Sequence, residues 1–248
     1  MNILSIGNSF SQDAHRYIHK IARADGKNHF LLWNLYIGGC PLSTHFRNMK
    51  SDEEAYTLEI NGEWCAMNMS IKKALLATHW DCITIQQVSS TSTDYDSYQP
   101  YLNEVIACAR KYSPKSRIII HETWAYLADS SSLLNLGYQT HEQMYNDIAI
   151  AYKKAAEDVS ASAIIPAGYT MKTLLEMGIP SVHRDTKHAS DLARFAIGLT
   201  WYQTLTRRSL ADVDFSHFDF DTEHTPEEIE IAKKASIKAF EAFGFEFR

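Results

Sequence analysis

Long hydrophobic runs are missing from the 248-residue chain, and basic residues are in the minority. No run approaches the ~18 apolar residues that a membrane-spanning helix needs. Lys and Arg total 24 against 30 Asp and Glu, which gives a net charge of −6. Binding to nucleic acid or to an anionic lipid surface normally requires a basic face. We therefore expect neither nucleic acid nor a membrane among the partners.

Cysteine is sparse and scattered along the chain. Cys40, Cys65, Cys82 and Cys108 contain no C-x-x-C pair, so neither a zinc knuckle nor a thioredoxin-type site is indicated. Separated single cysteines are typical of reduced, buried thiols. The segment from Met1 to Ile6 lacks the basic and apolar regions of a secretory signal. Both observations predict a cytoplasmic location.

Motifs for common cofactors and metals are also missing. The sequence contains neither G-x-G-x-x-G nor G-x-x-x-x-G-K-[ST], so no dinucleotide or P-loop site is expected. His15 and His19 are spaced i, i+4 on a predicted helix but lack an evident third ligand, which favours a solvated helix face over a metal site. The acidic stretch 212–223 lacks the spacing of a calcium loop. We expect no cofactor and no metal.

Short apolar runs alternate with helical patterns along the chain. This alternation predicts a three-layer α/β/α fold, in which a flavodoxin-like parallel sheet of about five strands has helices on both faces. We expect a single domain over residues 1–248. The predicted strands are residues 2–6, 30–37, 81–85, 117–121 and 163–165.

One β-hairpin is predicted as an insertion at about residues 55–69, because Asn61-Gly62 joins two strand-like runs. A terminal helix is predicted at about 226–243, with Thr225 as N-cap and Pro226 at its first position. The other predicted helices are 12–24, 70–78, a helix after Pro100, 142–159 and 189–205.

Ser9 follows the first predicted strand, and active sites of parallel sheets lie at the carboxyl ends of the strands. At a helix N-terminus its backbone N–H faces a developing oxyanion favourably. For an isolated serine, helix capping by Ser9 or Ser11 is the more common explanation. The sequence is not a G-x-S-x-G elbow, because position 11 is Ser, and this argues against an α/β-hydrolase.

Asp185 and His188 precede a late predicted helix and are three residues apart. At this spacing the carboxylate can orient the imidazole, which can then act as base for a serine. His183 lies in the same loop and is a competing base.

Candidate oxyanion donors follow two further strands. Gly39 comes after the second strand, where glycine permits close backbone approach and an exposed N–H, or simply an ordinary turn. Gln86 and Gln87 follow the strand at 81–85, where a carboxamide can donate to an oxyanion.

The order of these signals resembles that of the SGNH (GDSL-like) hydrolases, and most closely their DUF4886 branch. The resemblance covers about residues 2–205. Where the wider superfamily usually has Gly-x-Asn, this strand ends in Gln86-Gln87. The matching blocks are Gly-Asn-Ser-Phe-Ser (7–11), Gly-Gly-x-x-Leu (38–42), Thr-Trp-Ala-Tyr (123–126), Asp-x-x-His (185–188) and Gly-Leu-Thr-Trp-Tyr (198–202).

This resemblance implies a serine esterase without a cofactor, acting on a small-molecule or carbohydrate ester. Its catalytic residues would be Ser9, His188 and Asp185. The oxyanion hole would combine the Ser9 and Gly39 N–H groups with the Gln86 side chain, for which Gln87 is the alternative. An acetylated carbohydrate is the substrate that the resemblance and the many aromatic residues suggest.

Six side chains near strand ends are expected to line the substrate pocket, and the aromatic ones can form a sugar platform or simply pack. Two other functions compete with the esterase. One is a flavodoxin-like module that binds a phosphate ligand in the Ser9 loop, which would not need Asp185 or His188. The other is an inactive SGNH-like protein that only binds carbohydrate. The six expected pocket residues are Trp33, His121, Glu122, Trp124, Tyr126 and His183.

Overall fold

The central sheet has seven strands in the order β4-β3-β2-β1-β5-β6-β7 in the computed structural model, which describes residues 1–247. Strands β2, β1, β5, β6 and β7 are parallel, which confirms the predicted parallel sheet of about five strands. Strands β3 and β4 are antiparallel and extend the sheet to seven. The strands are β1 (Asn2–Gly7), β2 (Leu31–Tyr36), β3 (Tyr56–Ile60), β4 (Glu63–Met69), β5 (Cys82–Ile85), β6 (Arg117–His121) and β7 (Ala163–Ile165).

The predicted inserted hairpin is present, and it extends the sheet as strands β3 and β4. Leu35 of β2 lies opposite Leu58 of β3, and both side chains are buried. Asn61 and Gly62 have φ values of 54° and 83°, the left-handed conformations that a two-residue hairpin turn requires. Strand β4 forms the outer edge of the sheet and is largely exposed.

Helices cover both faces of the sheet, which confirms the α/β/α arrangement. Helices α3, α4 and α5 pack on one another, and α9 packs against α1, α2, α8 and α10. Within residues 1–247, no helix is both long and apolar enough to cross a membrane. The helices are α1 (Ser9–His15), α2 (Ile18–Ala24), α3 (Leu42–Ser51), α4 (Ile71–Ala77), α5 (Tyr101–Tyr112), α6 (Ser131–Leu134), α7 (His141–Asp158), α8 (Ala167–Glu176), α9 (Asp191–Thr206) and α10 (Pro226–Ala242).

The predicted helix at 12–24 is two helices, α1 and α2, which meet at Tyr17. Tyr17 has φ −118° and ψ −8°, and its buried hydroxyl donates to Asp191 at 2.6 Å. This tertiary contact fixes the break. His15 is also buried, with Nε2 2.8 Å from Ser5 Oγ, so the predicted solvated face is wrong for this residue.

Candidate active site

The turn from β1 into α1 places Ser9 at the first helical position. Asn8 is the N-cap, because its Oδ1 accepts from Phe10 N at 3.0 Å, and Ser11 completes the capping box. The expectation that Ser9 or Ser11 is the N-cap is therefore wrong. A Cβ on Gly7 would lie 2.0 Å from Ser11 Oγ, so this tight turn requires glycine. The Ser9 side chain is left available for other contacts.

The side chains of Ser9, His188 and Asp185 form a continuous hydrogen-bonded chain. Ser9 Oγ lies 2.9 Å from His188 Nε2, and His188 Nδ1 lies 2.7 Å from Asp185 Oδ2. The other oxygen of Asp185 accepts from the backbone N–H groups of Lys187 and His188, both at 2.8 Å. Desolvation alone would raise the pKa of Asp185, but these N–H groups and the His188 ring hold it well below its usual value. The carboxylate therefore stays charged and can orient the imidazole.

The loop that carries His188 is anchored to α1 by Asp13, whose side chain is fully buried. Asp13 Oδ1 accepts from Arg184 Nη1 at 2.7 Å and from Arg194 Nε at 2.9 Å. Its Oδ2 accepts from Ala189 N at 3.0 Å. Because Ser9 and Asp13 belong to the same short helix, this cluster fixes His188 relative to Ser9.

Gly39 lies in the turn between β2 and α3 and lines the same cavity as Ser9. Its φ is 61°, a conformation that favours glycine, and the turn is closed by Cys40 N donating to Ile37 O at 3.3 Å. The Ser9 amide belongs to the first turn of α1, whose N–H groups have no intrahelical acceptors. The two residues expected to supply backbone N–H groups to an oxyanion thus both line the cavity.

Neither glutamine expected to complete the oxyanion hole is placed to do so. Gln86 is buried outside the cavity, and its Nε2 donates to Asn8 Oδ1 at 2.8 Å. Gln87 is also buried, with Nε2 donating to Ser97 O and Oγ, both at 3.0 Å, and Oε1 accepting from Leu42 N at 2.9 Å. Both side chains point into the protein interior, where they form hydrogen bonds with buried polar groups.

The cavity around Ser9 has a volume of about 310 Å³. Of the six expected pocket residues, only Tyr126 lines it, and its hydroxyl lies 2.9 Å from Ser89 Oγ. Besides Ser9, Gly39 and Tyr126, the lining residues are Asn8, Phe10, Tyr36, Gly38, Val88, Ser89, Ser90, Lys187 and His188.

The prediction is wrong for the remaining five expected pocket residues, because they pack beneath or away from the cavity. Trp124 is fully buried, stacks on Phe10 with ring centroids 4.2 Å apart, and donates to Lys187 O at 2.8 Å. Trp33 packs edge-on against Trp80, with ring centroids 5.3 Å apart. Trp124 thus supports the site, and neither tryptophan offers a sugar platform.

Three polar residues of the same set are held by the backbone or by other buried groups. His183 Nε2 lies 2.9 Å from Ala125 O, and His121 is fully buried with Nδ1 hydrogen-bonded to Gln86 Oε1. Glu122 Oε2 accepts from Tyr169 N at 3.2 Å at the start of α8. His183 therefore does not compete with His188 for Ser9. Within residues 1–247, no group of three or more His, Cys, Asp or Glu side chains is arranged to hold a metal ion.

The fold is also that of known structures. A crystal structure of a DUF4886 family protein from Bacteroides uniformis ATCC 8492 matches with a TM-score of 0.89 and 31% identity, over 100% of this chain and 97% of that chain. An acetyl xylan esterase, AlAXEase, matches with a TM-score of 0.56 and 13% identity, over 83% of this chain and 100% of that chain. A protein described as a GDSL-like lipase, from Parabacteroides merdae ATCC 43184, matches with a TM-score of 0.57 and 13% identity, over 81% of this chain and 93% of that chain.

The two structures at 13% identity show a shared fold alone, and this confirms the fold that the resemblance implied. No curated protein sequence matches the chain. Residues 2–239 match the family described as Domain of unknown function (DUF4886). Because this match spans nearly the whole sequence, the chain belongs to the DUF4886 family.

Proposed function

We propose that the protein is a serine esterase that hydrolyses a small acyl ester at Ser9. The observation that carries the proposal is the hydrogen-bonded chain from Asp185 through His188 to the Ser9 hydroxyl, with contacts of 2.7 and 2.9 Å. A serine hydroxyl is a weak nucleophile until a base lies within hydrogen-bond reach, and that base needs a third group to orient it. All three parts are present beside a cavity.

In the proposed reaction, Ser9 Oγ attacks the ester carbonyl carbon while His188 Nε2 takes the hydroxyl proton. Asp185 stabilises the resulting imidazolium, and the N–H groups of Ser9 and Gly39 stabilise the tetrahedral oxyanion. His188 then gives the proton to the leaving alcohol as the C–O bond breaks. Water, deprotonated by the same imidazole, attacks the acyl-enzyme, which releases the acid and restores Ser9.

The substrate class we propose is a small acyl ester, with acetate as the first acyl group to test. The cavity of about 310 Å³ is at the lower end of ligand pockets, which run from about 300 to 1,000 Å³. A carbohydrate alcohol finds support in the fold shared with an acetyl xylan esterase and in the aromatic side chains of Tyr36 and Tyr126, which line the cavity. Trp124 is fully buried and Trp33 packs against Trp80, so neither tryptophan adds to this support.

The phosphate-binding alternative is less well supported. It leaves Asp185 and His188 without a role, and the Ser9 hydroxyl that would contact the anion already lies against His188. Moreover, α1 is only seven residues long, so its terminus is a modest dipole. An inactive carbohydrate-binding protein has the same geometry, and reactivity of Ser9 separates it from an esterase.

The test is intact-mass labelling with a fluorophosphonate probe, comparing wild type with Ser9→Ala, His188→Ala and, as control, Ser209→Ala on an exposed loop after α9. We expect one adduct on wild type and on the control, none on Ser9→Ala, and labelling slowed at least about 10³-fold on His188→Ala. Unlabelled but folded wild type would contradict the esterase and favour the binding protein. Labelled protein would then be assayed on aryl acetates and acetylated sugars.

A further inference from the structure

The Asn8 side chain joins three strand ends at the cavity. Its Oδ1 accepts from Phe10 N at 3.0 Å in α1 and from Gln86 Nε2 at 2.8 Å after β5. Its Nδ2 donates to Cys40 O at 3.2 Å in the turn after β2. Asn8 is 1% exposed, so water does not replace these partners. One buried amide thus connects the nucleophile helix to the glycine turn.

The donors and acceptors along this network are determined by one fixed point, the backbone N–H of Phe10. Because an N–H can only donate, the Asn8 atom that faces it is the oxygen, and Gln86 must then present its NH₂ to the same oxygen. The opposite end of Gln86 is therefore its carbonyl, which faces His121 Nδ1. His121 must carry its proton on Nδ1.

His121 in turn fixes the orientation of the Gln86 amide. Its ring is fully buried, and desolvation, with the nearby His15, holds its pKa well below the usual value, so the ring is neutral. Among residues 1–247, Nε2 of His121 has no hydrogen-bond partner, which agrees with the proton residing on Nδ1. Without this donor the buried Gln86 carbonyl would be unpaired, at a substantial desolvation cost.

We propose that Gln86 and His121 are positioning residues that act through Asn8 to set the distance between the Ser9 and Gly39 amides. The oxygen of the Asn8 amide accepts from the N–H of Phe10, the residue after Ser9. Its nitrogen donates to the carbonyl of Cys40, the residue after Gly39. The Asn8 side chain is therefore bonded to a neighbour of each proposed oxyanion donor. This inference rests on the proposed function and adds to it. It also gives Gln86 a different task from the oxyanion contact expected from sequence.

The first test compares Gln86→Met with Gln203→Met. Gln203 is also buried and donates to Ser236 Oγ at 2.9 Å, but it lies near the far end of α9. We expect Gln86→Met to lower kcat on an aryl acetate by about 10–100-fold, since a displacement of about 1 Å can cost 10²-fold, with KM changed less than about twofold. Gln203→Met should lower the melting temperature without this loss of kcat.

A second pair of variants keeps the inference testable if Gln86→Met does not fold. His121→Asn places an amide N–H where Nδ1 was, whereas His121→Phe fills the space without a donor. We expect His121→Asn to retain most of kcat and His121→Phe to lose it as Gln86→Met does. Equal kcat values in the two folded variants, at wild-type level, would overturn the positioning role.

Long-range ¹⁵N–¹H NMR of the histidine rings tests the network without any activity. We expect His121 to be neutral with the proton on Nδ1 in wild type, and to lose that preference in Gln86→Met. A proton on Nε2 would overturn the donor order and the inference with it. Wild type that shows this tautomer but neither labels nor hydrolyses esters would contradict the proposed function. The hydrogen-bond network would then be confirmed as structure only, and the positioning role would be refuted.

Discussion

At the scale of single residues, Glu122 stands out as a buried carboxyl that accepts backbone hydrogen bonds but lies against no cation. Burial raises its pKa to about 8, although the N–H groups of Tyr169 and Gly168 favour the charged form. A Cβ on Gly168 would lie 2.4 Å from Thr123 O and 3.0 Å from the Glu122 carboxyl, so glycine permits this approach. The carboxyl is therefore mostly protonated at neutral pH.

This raised pKa predicts that the protein loses stability as the pH rises from about 4.5 to about 8. The folded state binds the Glu122 proton more tightly than the unfolded state, whose value is 4.5, so the free energy of unfolding falls as pH rises from there through about 8. The loss should reach about 3–5 kcal/mol at most. Glu122→Gln removes the ionisation and should flatten the curve, whereas Glu157→Gln on the exposed face of α7 should not. Urea unfolding across this pH range measures the free energy of unfolding at each pH. Parallel curves of this free energy against pH for wild type and Glu122→Gln would contradict the prediction.

The positions of single side chains could be predicted where they directly follow a strand. Ser9 lies at the carboxyl end of β1, as the strand pattern predicts, and active sites of parallel sheets lie at such ends. Asp185 and His188 lie in the loop between α8 and α9, where only their spacing and the family resemblance pointed to them. Gln86 and Trp124 occupy equivalent positions but turn inward, towards Asn8 and Phe10. That choice depends on buried partners from distant segments, which no local pattern reveals.

At the scale of elements, the pairing of α1 with the His188 loop decides whether the site is assembled. Asp13 of α1 is fully buried and holds Arg184, Arg194 and the Ala189 amide. Removing it leaves two cations without their shared partner. A comparable cluster stands at the opposite end of the molecule, where Asp25 accepts from Arg208 Nη2 at 2.8 Å.

The two aspartates give a matched pair of predictions. Asp13→Ala should lower the free energy of unfolding by about 2–3 kcal/mol, less than the about 3–5 kcal/mol of a fully buried pair because both arginines reach solvent. It should also lower kcat at least about tenfold, since His188 loses its anchor to the helix of Ser9. Asp25→Ala should destabilise without this loss of kcat. The measurements are urea unfolding and esterase assays on folded protein. Equal kcat values for Asp13→Ala and Asp25→Ala would refute the role of Asp13 in anchoring His188. Asp13→Asn serves if Asp13→Ala does not fold.

Elements with strong local signals could be predicted closely, and those without them could not. Strands β6 and β7 have the predicted bounds, and α10 begins at Pro226 behind its Thr225 cap. Helix α3 was not predicted because it is polar along most of its length. Helix α8 was not predicted either, since Pro166 and Gly168 at its start are typical of a loop. The close approach to Glu122 explains that glycine, and it is a tertiary contact.

At the scale of the whole molecule, the charge of the cavity differs from that of the chain. The protein carries a net charge of −6, yet Lys187 lines the cavity and no carboxylate does among its described lining residues. Lys187 directly precedes His188, which in the proposed reaction gives its proton to the leaving alcohol. We therefore predict that the Lys187 side chain, a cation in the lining of the cavity, attracts an anionic leaving alcohol.

This arrangement predicts a preference for acetate esters whose alcohol carries a carboxylate. We expect kcat/KM for such an ester to exceed that for the matched neutral ester about two- to fivefold, because an exposed charge pair contributes up to about 1 kcal/mol. The preference should shrink as salt screens it, and Lys187→Glu should reverse it, whereas Lys153→Glu on exposed α7 should leave the ratio unchanged. The ratio of the two kcat/KM values at low and high salt is the measurement. A ratio indifferent to salt and to Lys187→Glu would show that the ammonium does not contact the leaving alcohol.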